Sequence, residues 1–219
     1  MNQVFNIDCI EGMKQYPDKY FDLAVVDPIF GEMVAKGGYM SNSSSKLAKN
    51  KNYNNNLWKQ EKTNFYYFKE LFRVSKNQIV WGGNYFVEEI NQNSSCWIIW
   101  NKKNGENHFA DCEIAWTSFK TAVRMFEYKW QGMLQENMKD KENRIHPTQK
   151  PIALYDWIFQ NYAKGGDKIL DTHLGSGSSR IAFDKWGKGS EFIGFELDKD
   201  YFDASVKRYN DFKSQLTLF

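Results

Sequence analysis

Two short stretches of the sequence bring together residue types that could carry chemistry. The first is DPIFG, where Asp27 and Pro28 end an apolar run and Phe30 follows. The Asp27 carboxylate and the Pro28 carbonyl can both accept from one amino group, since proline fixes its own φ. Two such acceptors draw the nitrogen lone pair out of conjugation, while Phe30 offers a stacking face to a planar base. The stretch predicts an activated amino nucleophile; an ordinary Asp-Pro turn over a core phenylalanine is the alternative.

The second stretch, ILDTHLGSGSSRIAF, predicts a cofactor site between a strand and a helix. A buried strand ends at Asp171, and Gly175 and Gly177 lie in the turn that opens the helix. Glycine lets a ligand approach the backbone closely, and a helix start offers unpaired N–H groups. Glu196, at the end of the next strand, can accept from two ribose hydroxyls. Because Arg180 takes the third position of a Gly-x-Gly-x-x-Gly pattern and no Gly-x-x-x-x-Gly-Lys loop occurs, we expect a nucleoside cofactor without a pyrophosphate.

Strands that alternate with helices must position these stretches. The run FDLAVVDP, at 21–28, is continuously apolar, which is typical of a parallel strand covered on both faces. We expect a Rossmann-like, doubly wound α/β domain with a mostly parallel sheet and helices on both faces. The other predicted strands, partly antiparallel in the middle of the chain, are 4–8, 77–83, 96–102, 112–119, 122–128, one starting at 167 and one at 191. The predicted helices are 10–17, 64–75, 85–91, 146–163, one after the glycine turn and one after Glu196. Pro151 would then lie in a first turn.

The composition predicts one soluble domain rather than several. The chain has 219 residues, of which 42% are hydrophobic and 26% charged, and no change of composition marks a second domain. No apolar run approaches the ~18 residues of a membrane span, and the N-terminus lacks the basic and apolar regions of a signal peptide. Cys9, Cys96 and Cys112 are far apart, which indicates a reducing compartment and neither a disulfide framework nor a zinc site.

A basic segment at 36–76 is a candidate for nucleic-acid contact. It contains nine lysines and arginines against two glutamates, so it carries +7 while the rest of the chain carries −5. Aromatic and amide residues lie among these charges, a mixture that favours a nucleic-acid surface over a merely solvated face. The candidate DNA contacts, in a Gly-, Ser-, Asn- and Lys-rich insert at about 31–62, are Lys36, Lys46, Lys49, Lys51 and Lys59. The region at about 101–145 mixes both signs of charge and is equally a solvated face or a second DNA contact.

The order of several motifs resembles one enzyme family. DPIFG comes early, HPTQKP lies at 146–151, and DTHLGSGS and FIGFELD come late. WGGNYF at 81–86 and WNKKNG at 100–105 fit the family's middle motifs. In this order the chain, over nearly its whole length, resembles the small β-type S-adenosylmethionine-dependent DNA amino-methyltransferases. HPTQKP is the most specific match, because six such residues immediately before a cofactor motif rarely recur by chance.

The resemblance implies a seven-stranded methyltransferase sheet and a single catalytic domain at 1–219. It implies methyl transfer to the amino group of a flipped adenine in DNA, because cytosine-N4 relatives usually have serine in place of Asp27. The base would be contacted by Asp27, Pro28 and Phe30. The cofactor would be surrounded by Asp8, Lys150, Asp171, Gly175, Gly177 and Glu196, with His146 and Thr148 nearby. Methylation of cytosine N4 or of RNA, and an inactive relative that binds cofactor and DNA, are the alternatives.

Three residues depart from the family's pattern. Ile29 replaces a proline, Phe30 the commoner tyrosine and His173 the commoner phenylalanine. Phe30 keeps the stacking face and Ile29 leaves both acceptors in place, so we expect Ile29 to affect the rate rather than the identity of the reaction. His146 and His173 are interpreted as structural braces, and we expect no bound metal. The resemblance also implies double-stranded DNA as partner, allows a companion restriction endonuclease and a monomer or homodimer, and favours a bacterial or phage-encoded cytoplasmic protein.

Overall fold

The structure is a computed structural model that describes residues 1–30, 62–105, 110–131 and 134–216. Within these ranges the strands are β1 Asn2–Asn6, β2 Phe21–Val26, β3 Ser75–Trp81, β4 Ile98–Asn101, β5 Cys112–Thr117, β6 Arg124–Glu127, β7 Trp130–Gln131, β8 Leu134–Gln135, β9 Lys168–Asp171 and β10 Glu191–Glu196. The helices are α1 Cys9–Met13, α2 Phe65–Val74, α3 Val87–Ile90, α4 Ile152–Tyr162, α5 Ser178–Trp186 and α6 Lys199–Leu216. A single 3-10 turn at Gly83–Tyr85 precedes α3.

One sheet contains eight strands in the order β1-β10-β9-β2-β3-β5-β4-β6. The first five are parallel, β5 runs antiparallel to β3 and β4, and β6 lies parallel to β4 at the edge. A mostly parallel sheet with an antiparallel part is therefore confirmed. The count differs from the seven strands that the resemblance implied, since all eight strands predicted from the sequence pattern join the sheet. The short hairpin of β7 and β8 has no counterpart among the predicted elements.

Both faces of the sheet are covered, because alternate residues of a strand point to opposite sides. Leu23 and Val25 of β2 belong to a core cluster with residues of α4 and α5. Ala24 and Val26 belong to a second cluster with residues of α1 and α2. Burial on both sides explains the continuous apolar run of β2, and the prediction of helices on both faces is confirmed.

Two element boundaries differ from the predicted ones for local reasons. The strand expected at 4–8 ends earlier, since Asp8 caps α1 by accepting from two of its backbone N–H groups at 2.9 and 3.1 Å. The helix expected at 146–163 begins only at Ile152, and Pro151 is its N-cap rather than a first-turn residue. Residues that precede a proline avoid helical backbone, which leaves HPTQK as a turn beside the sheet.

The carboxyl ends of β2, β9 and β10 meet at one edge of the sheet, because β9 lies between the other two strands and all three are parallel. Ligands of doubly wound sheets bind outside such strand ends. This edge brings together Asp27, the turn after Asp171, and Glu196. No helix in the described ranges is long and apolar enough to cross a membrane.

Candidate active site

A cavity of about 300 Å³ lies at this edge of the sheet. Its volume is at the lower end of the range of small-molecule pockets. The wall is formed by the segments that follow β1, β2, β9 and β10, together with residues 62–64 and the 146–150 turn. The predicted site residues that line it are Asp8, Asp27, Pro28, Phe30, Lys150, Gly175 and Glu196. The cavity thus joins the two stretches that the sequence analysis singled out.

Asp27 follows the buried end of β2, and its two carboxylate oxygens differ. Oδ2 accepts from the Lys150 ammonium at 2.5 Å. Oδ1 is buried and has no hydrogen-bond partner in the part of the chain that the structure describes. Burial raises the pKa of Asp27 above its ordinary value, against the opposing effect of Lys150. A buried acceptor without a partner costs about 1–3 kcal/mol, so a donor that reaches Oδ1 from the cavity would be bound favourably.

Lys150 is held between two carboxylates. Besides Asp27 it contacts Glu113 Oε2 at 3.2 Å, and 5% of its side chain is exposed. Burial would lower the pKa of Lys150, but the two carboxylates outweigh burial and raise it, so the ammonium stays charged. The resemblance implies that Lys150 lies beside the cofactor. Lys150 lines the cavity, and its ammonium is directed to Asp27 because the 146–150 turn carries the side chain towards the end of β2.

Glu113, in β5, is a site residue that the sequence patterns do not identify. Burial alone would raise the pKa of Glu113, but Lys150 and Lys102 outweigh it and lower the pKa to about 2. The one signal in the sequence is a carboxylate inside the largely apolar strand CEIAWT. Such a residue is easily interpreted as facing solvent, so the pairing with Lys150 becomes visible only in three dimensions.

Phe30 is held by its neighbours rather than by a second proline. Its ring stacks on Tyr85 with centroids 4.9 Å apart and planes 24° apart. Gly82, at φ +65°, lies against the same ring, and a Cβ there would come within 2.7 Å of a ring carbon. The backbone carbonyl of Ile29 accepts from the N–H of Thr63 at 2.9 Å. The loop at Ile29 therefore has other restraints in place of a proline ring.

The glycine turn and Glu196 are bonded to each other. The Gly175 N–H donates to Glu196 Oε2 at 2.8 Å, and the Asp198 N–H donates to Oε1 at 2.9 Å. The Leu197 backbone also bonds to this carboxylate, which with about four acceptor positions keeps capacity for a ligand. Gly175 has φ +51°, and the His146 ring lies 3.7 Å from where its Cβ would be. A turn of this shape leaves the backbone accessible from the cavity.

Asp171 and Gly177, which the resemblance implies are beside the cofactor, are not among the residues that line the cavity. Asp171 accepts from the N–H of His173 at 3.0 Å and from the hydroxyl of Ser179 at 2.5 Å. Burial raises its pKa to about 7, against these hydrogen bonds. Gly177, at φ +72°, faces Ser205 of α6, which lies 3.4 Å from where a Cβ would be. Both residues therefore hold the glycine turn through contacts on the side away from the cavity.

Two histidines beside the cavity are neutral at neutral pH, because burial lowers the pKa of each to about 4. His146 Nδ1 accepts from the backbone N–H of Thr148 at 3.3 Å. His173 Nδ1 pairs with the Thr172 hydroxyl at 2.9 Å, and that hydroxyl pairs with the Tyr67 hydroxyl at 2.6 Å. These bonds agree with the interpretation of both histidines as braces. Among the described residues, no group of three or more His, Cys, Asp or Glu side chains could hold a metal ion.

The predicted DNA contacts of the basic insert cannot be placed at the cavity, because they lie outside the described residues. They are Lys36, Lys46, Lys49, Lys51 and Lys59. In the 101–145 region, Lys102 pairs with Glu113, and Glu142 pairs with Arg208 of α6 at 2.6 Å. Lys102, Glu113 and Glu142 of this region are therefore engaged within the chain and are not part of a solvated face.

The sequence matches a known family over most of its length. The N6/N4 methyltransferase family, described as DNA methylase, matches residues 32–207. This span includes HPTQKP, the glycine turn and Glu196, and it begins just after Phe30. The type II methyltransferase M.HinfI of Haemophilus influenzae is 26% identical over an alignment that is 254 positions long. The alignment covers 97% of this chain and 69% of that protein.

Two solved structures have the same fold. M1.HpyAVI, in its complex with S-adenosylmethionine, superposes with a TM-score of 0.60 at 21% identity, covering 96% of this chain and 100% of that chain. The cytosine-N4-specific PvuII DNA methyltransferase superposes with a TM-score of 0.59 at 12% identity, covering 94% of this chain and 86% of that chain. Similarity at these identities reports the architecture, and adenine and cytosine enzymes are not separated by it. The family match, together with the motifs around the cavity, shows that the chain belongs to the S-adenosylmethionine-dependent N6/N4 DNA methyltransferases.

Proposed function

We propose that the chain transfers the methyl group of S-adenosylmethionine to the N6 amino group of adenine in DNA. The observation that carries the proposal is Asp27, which lines the cavity and whose buried Oδ1 has no partner within the described ranges. An exocyclic amino group is the donor that this oxygen lacks, and Pro28 on the same wall can supply a carbonyl as second acceptor. Because Lys150 occupies Oδ2, Oδ1 is the oxygen that remains for the base.

Other residues of the cavity wall fit the cofactor of this family. Glu196 keeps acceptor capacity beside its backbone hydrogen bonds, which suits the hydroxyls of a ribose. Gly175 allows close approach to the backbone, and Asp8 lies on the wall after β1. When bound, S-adenosylmethionine supplies an electrophilic methyl group on a positively charged sulfur. Asp8, Gly175 and Glu196 would hold it, while Lys150 orients Asp27.

Phe30 and Asp27 would bind the target base. The Phe30 ring, which stacks on Tyr85 and lines the cavity, would stack on a base turned out of the duplex. Asp27 Oδ1 would accept from the amino group and so orient its nitrogen. The cofactor would supply the methyl group and keep the electrons of its C–S bond, and Asp27 would receive the proton that the amino nitrogen gives up. Such a reaction depends on positioning and electrostatics more than on a strong base.

One feature supports adenine over cytosine as the target base. Asp27 stands at the position where, by the family resemblance, cytosine-N4 enzymes usually have serine. A carboxylate would accept from the amino group of either base, so the choice of adenine rests on this resemblance. The fold does not contribute to this choice, since a cytosine-N4 enzyme has it as well.

The proposed setting is a bacterial or phage-infected cytoplasm, with double-stranded DNA as substrate. The bacterial type II methyltransferase M.HinfI supports a companion restriction endonuclease that recognises the same site. The basic insert at about 31–62 is the candidate for holding the duplex while the base is turned out. A single methyltransferase domain at 1–219, as a monomer or homodimer, would carry out this reaction.

Transfer of labelled methyl groups to a mixed-sequence duplex tests the proposal. Wild-type protein should label the duplex, and digestion should release N6-methyladenine. Asp27→Asn should lower kcat by about 100-fold or more, because it removes a charged acceptor at the reacting group. Asp22→Asn is the matched control, since Asp22 lies at the other end of β2 and pairs with Lys76. Release of N4-methylcytosine alone would exclude adenine, and label in RNA but not in DNA would exclude a DNA substrate.

Cofactor binding is measured separately by calorimetry. Glu196→Gln should weaken S-adenosylmethionine binding by about 10-fold, or ~1.4 kcal/mol, because an amide keeps one acceptor oxygen in place of two. Glu191→Gln, at the other end of β10 where the carboxylate accepts from the Tyr20 hydroxyl, is the control and should bind as the wild type does. Unchanged affinity in Glu196→Gln would remove Glu196 from the cofactor site.

A further inference from the structure

Four charged side chains form an alternating network that leads away from the cavity. Lys102 follows β4, Glu113 lies in β5, Lys150 precedes α4 and Asp27 follows β2. Lys102 pairs with Glu113 Oε1, Glu113 Oε2 contacts Lys150 at 3.2 Å, and Lys150 contacts Asp27 Oδ2 at 2.5 Å. Asp27 and Lys150 line the cavity, whereas Glu113 and Lys102 are not among its lining residues. The network therefore connects the carboxylate at the cavity to two charges behind its wall.

The network is shielded from water, so its members act on one another strongly. The exposed fraction of the side chain is 12% for Lys102, 32% for Glu113, 5% for Lys150 and 16% for Asp27. Each ammonium also lies over a tryptophan ring, 5.1 and 5.6 Å from the ring centre. The two cations balance the two carboxylates. Since poorly hydrated charges interact more strongly than surface charges, removing any one of the four changes the balance at Asp27.

We infer that Glu113 and Lys102 are positioning residues for the methyl transfer and that they act on Asp27 through Lys150. The inference rests on the proposed function, which assigns Asp27 to the target amino group. Glu113 attracts the Lys150 ammonium away from Asp27, and Lys102 limits this attraction because it neutralises Glu113. Together they determine how firmly Oδ2 is held, and therefore how Oδ1 is presented to the base.

Glu113 and Lys102 shift the pKa of Asp27 in opposite directions. Burial raises the pKa of Asp27 and Lys150 lowers it, and among the remaining charges Glu113 raises it and Lys102 lowers it. Glu113→Gln should therefore lower the pKa of Asp27, and Lys102→Met should raise it. The other titratable groups that interact with Asp27, from β9, α2 and α4, are unchanged in both variants; they are Asp171, Tyr67 and Tyr155.

Carbon-13 NMR of the aspartate carboxyls measures the pKa of Asp27 without requiring catalysis. The full chain is titrated as wild type, Glu113→Gln and Lys102→Met, and Asp27→Asn assigns the resonance. The midpoint of Asp27 should move down in Glu113→Gln and up in Lys102→Met, each by about half a pH unit or more. The acid limb of kcat for DNA methylation should move in the same directions, while KM for DNA should change by less than about twofold.

Two controls separate this role from a structural one. Lys103→Met removes the neighbouring lysine, which pairs with Glu127, and should move neither readout. Lys102→Arg keeps the charge and should restore the wild-type midpoint. If Glu113→Gln does not fold, the inference is tested by the direction in which the titration midpoint of Asp27 moves in Lys102→Met. Midpoints that do not move, or that move in the same direction in both variants, would overturn the inference. A wild type that methylates no nucleic acid would instead refute the proposed function, since Asp27 can still be titrated.

Discussion

Replacing Lys150 with methionine tests how much the shared ammonium contributes to the unfolding free energy of the protein. The ammonium contacts Asp27 at 2.5 Å and Glu113 at 3.2 Å, and 5% of the side chain is exposed. Methionine has a similar length and no charge, so the variant removes the cation that both carboxylates share. Removal of one partner from a buried ion pair costs about 3–5 kcal/mol of unfolding free energy. Glu113 keeps Lys102, so most of this loss should arise at Asp27.

The loss should depend on pH, with a sign that follows from Asp27. Without Lys150, burial raises the pKa of Asp27 further above its ordinary value. A carboxyl group whose pKa is raised on folding stabilises the fold below its unfolded pKa and loses that contribution as the pH rises through the folded pKa. The deficit of the variant relative to wild type should therefore be small near about pH 4 and large near about pH 8.

Urea unfolding at both pH values, followed by circular dichroism, measures this deficit. Lys185→Met is the matched control, because Lys185 pairs with Asp156 near the surface and its loss should cost about 1 kcal/mol or less. Adding Asp27→Asn to Lys150→Met should recover part of the stability at the higher pH, since it removes the unpaired charge. A deficit no larger than that of Lys185→Met, or one that shrinks as the pH rises, would refute the reasoning.

Three further predictions concern residues of the cavity wall or residues packed behind it. Gly82→Ala should lower kcat by about 100-fold if the Phe30 ring shifts by ~1 Å, because a Cβ would lie 2.7 Å from that ring. Gly105→Ala, at φ +67° with no described atom within 4 Å, measures the backbone cost alone and should leave kcat unchanged. Phe30→Ala should reduce kcat/KM more than Ile29→Pro changes it, and the reverse order in steady-state kinetics would mean that loop rigidity outweighs stacking. Asp171→Asn should remove the fall in unfolding free energy expected for wild type between about pH 4 and 7, because burial raises the pKa of Asp171 to about 7 while the unfolded carboxyl ionises near its ordinary pKa. Equal falls in urea titrations of both proteins would contradict this.

The place of the cavity could be predicted because its determinants are local. A continuous apolar run ends at Asp27, and two further runs end at Asp171 and Glu196. Parallel strands bring such ends to the same edge of a sheet. The glycine turn is a local signal as well, since Gly175 and Gly177 both adopt the positive φ that other residues rarely adopt.

The direction of individual side chains could not be predicted, because it depends on partners elsewhere in the chain. Lys150 reaches Asp27, 123 positions earlier, a pairing that the motif containing Lys150 does not indicate. Asp171 turns to the Ser179 hydroxyl, eight positions later, instead of the cavity. Glu113 stands alone in its strand, and its two lysines approach from separate segments. The pairing of buried charges depends on how the whole sheet packs, and a local sequence pattern does not predict that packing.

Ile29 shows how a local departure can be compensated at a distance. Judged from the sequence, the loss of a proline ring means a looser loop. The structure restrains the loop through the Thr63 N–H, and it restrains the Phe30 ring through Tyr85 and Gly82. These residues lie in segments that the motif itself does not include, so the motif alone exaggerates the effect of the substitution.

The strand order also has a consequence for the growing chain on the ribosome. Among the described strands, β1 pairs with β10 alone, and β9 lies between β10 and β2. Because β1 is synthesised before the other described strands, it must wait for β10 before it can pair. Asp27 emerges early, but the wall that completes its cavity emerges with the final third of the chain. A nascent chain would thus carry an unfinished β2 edge through most of its synthesis, and the ability to bind the cofactor would appear late and in one step.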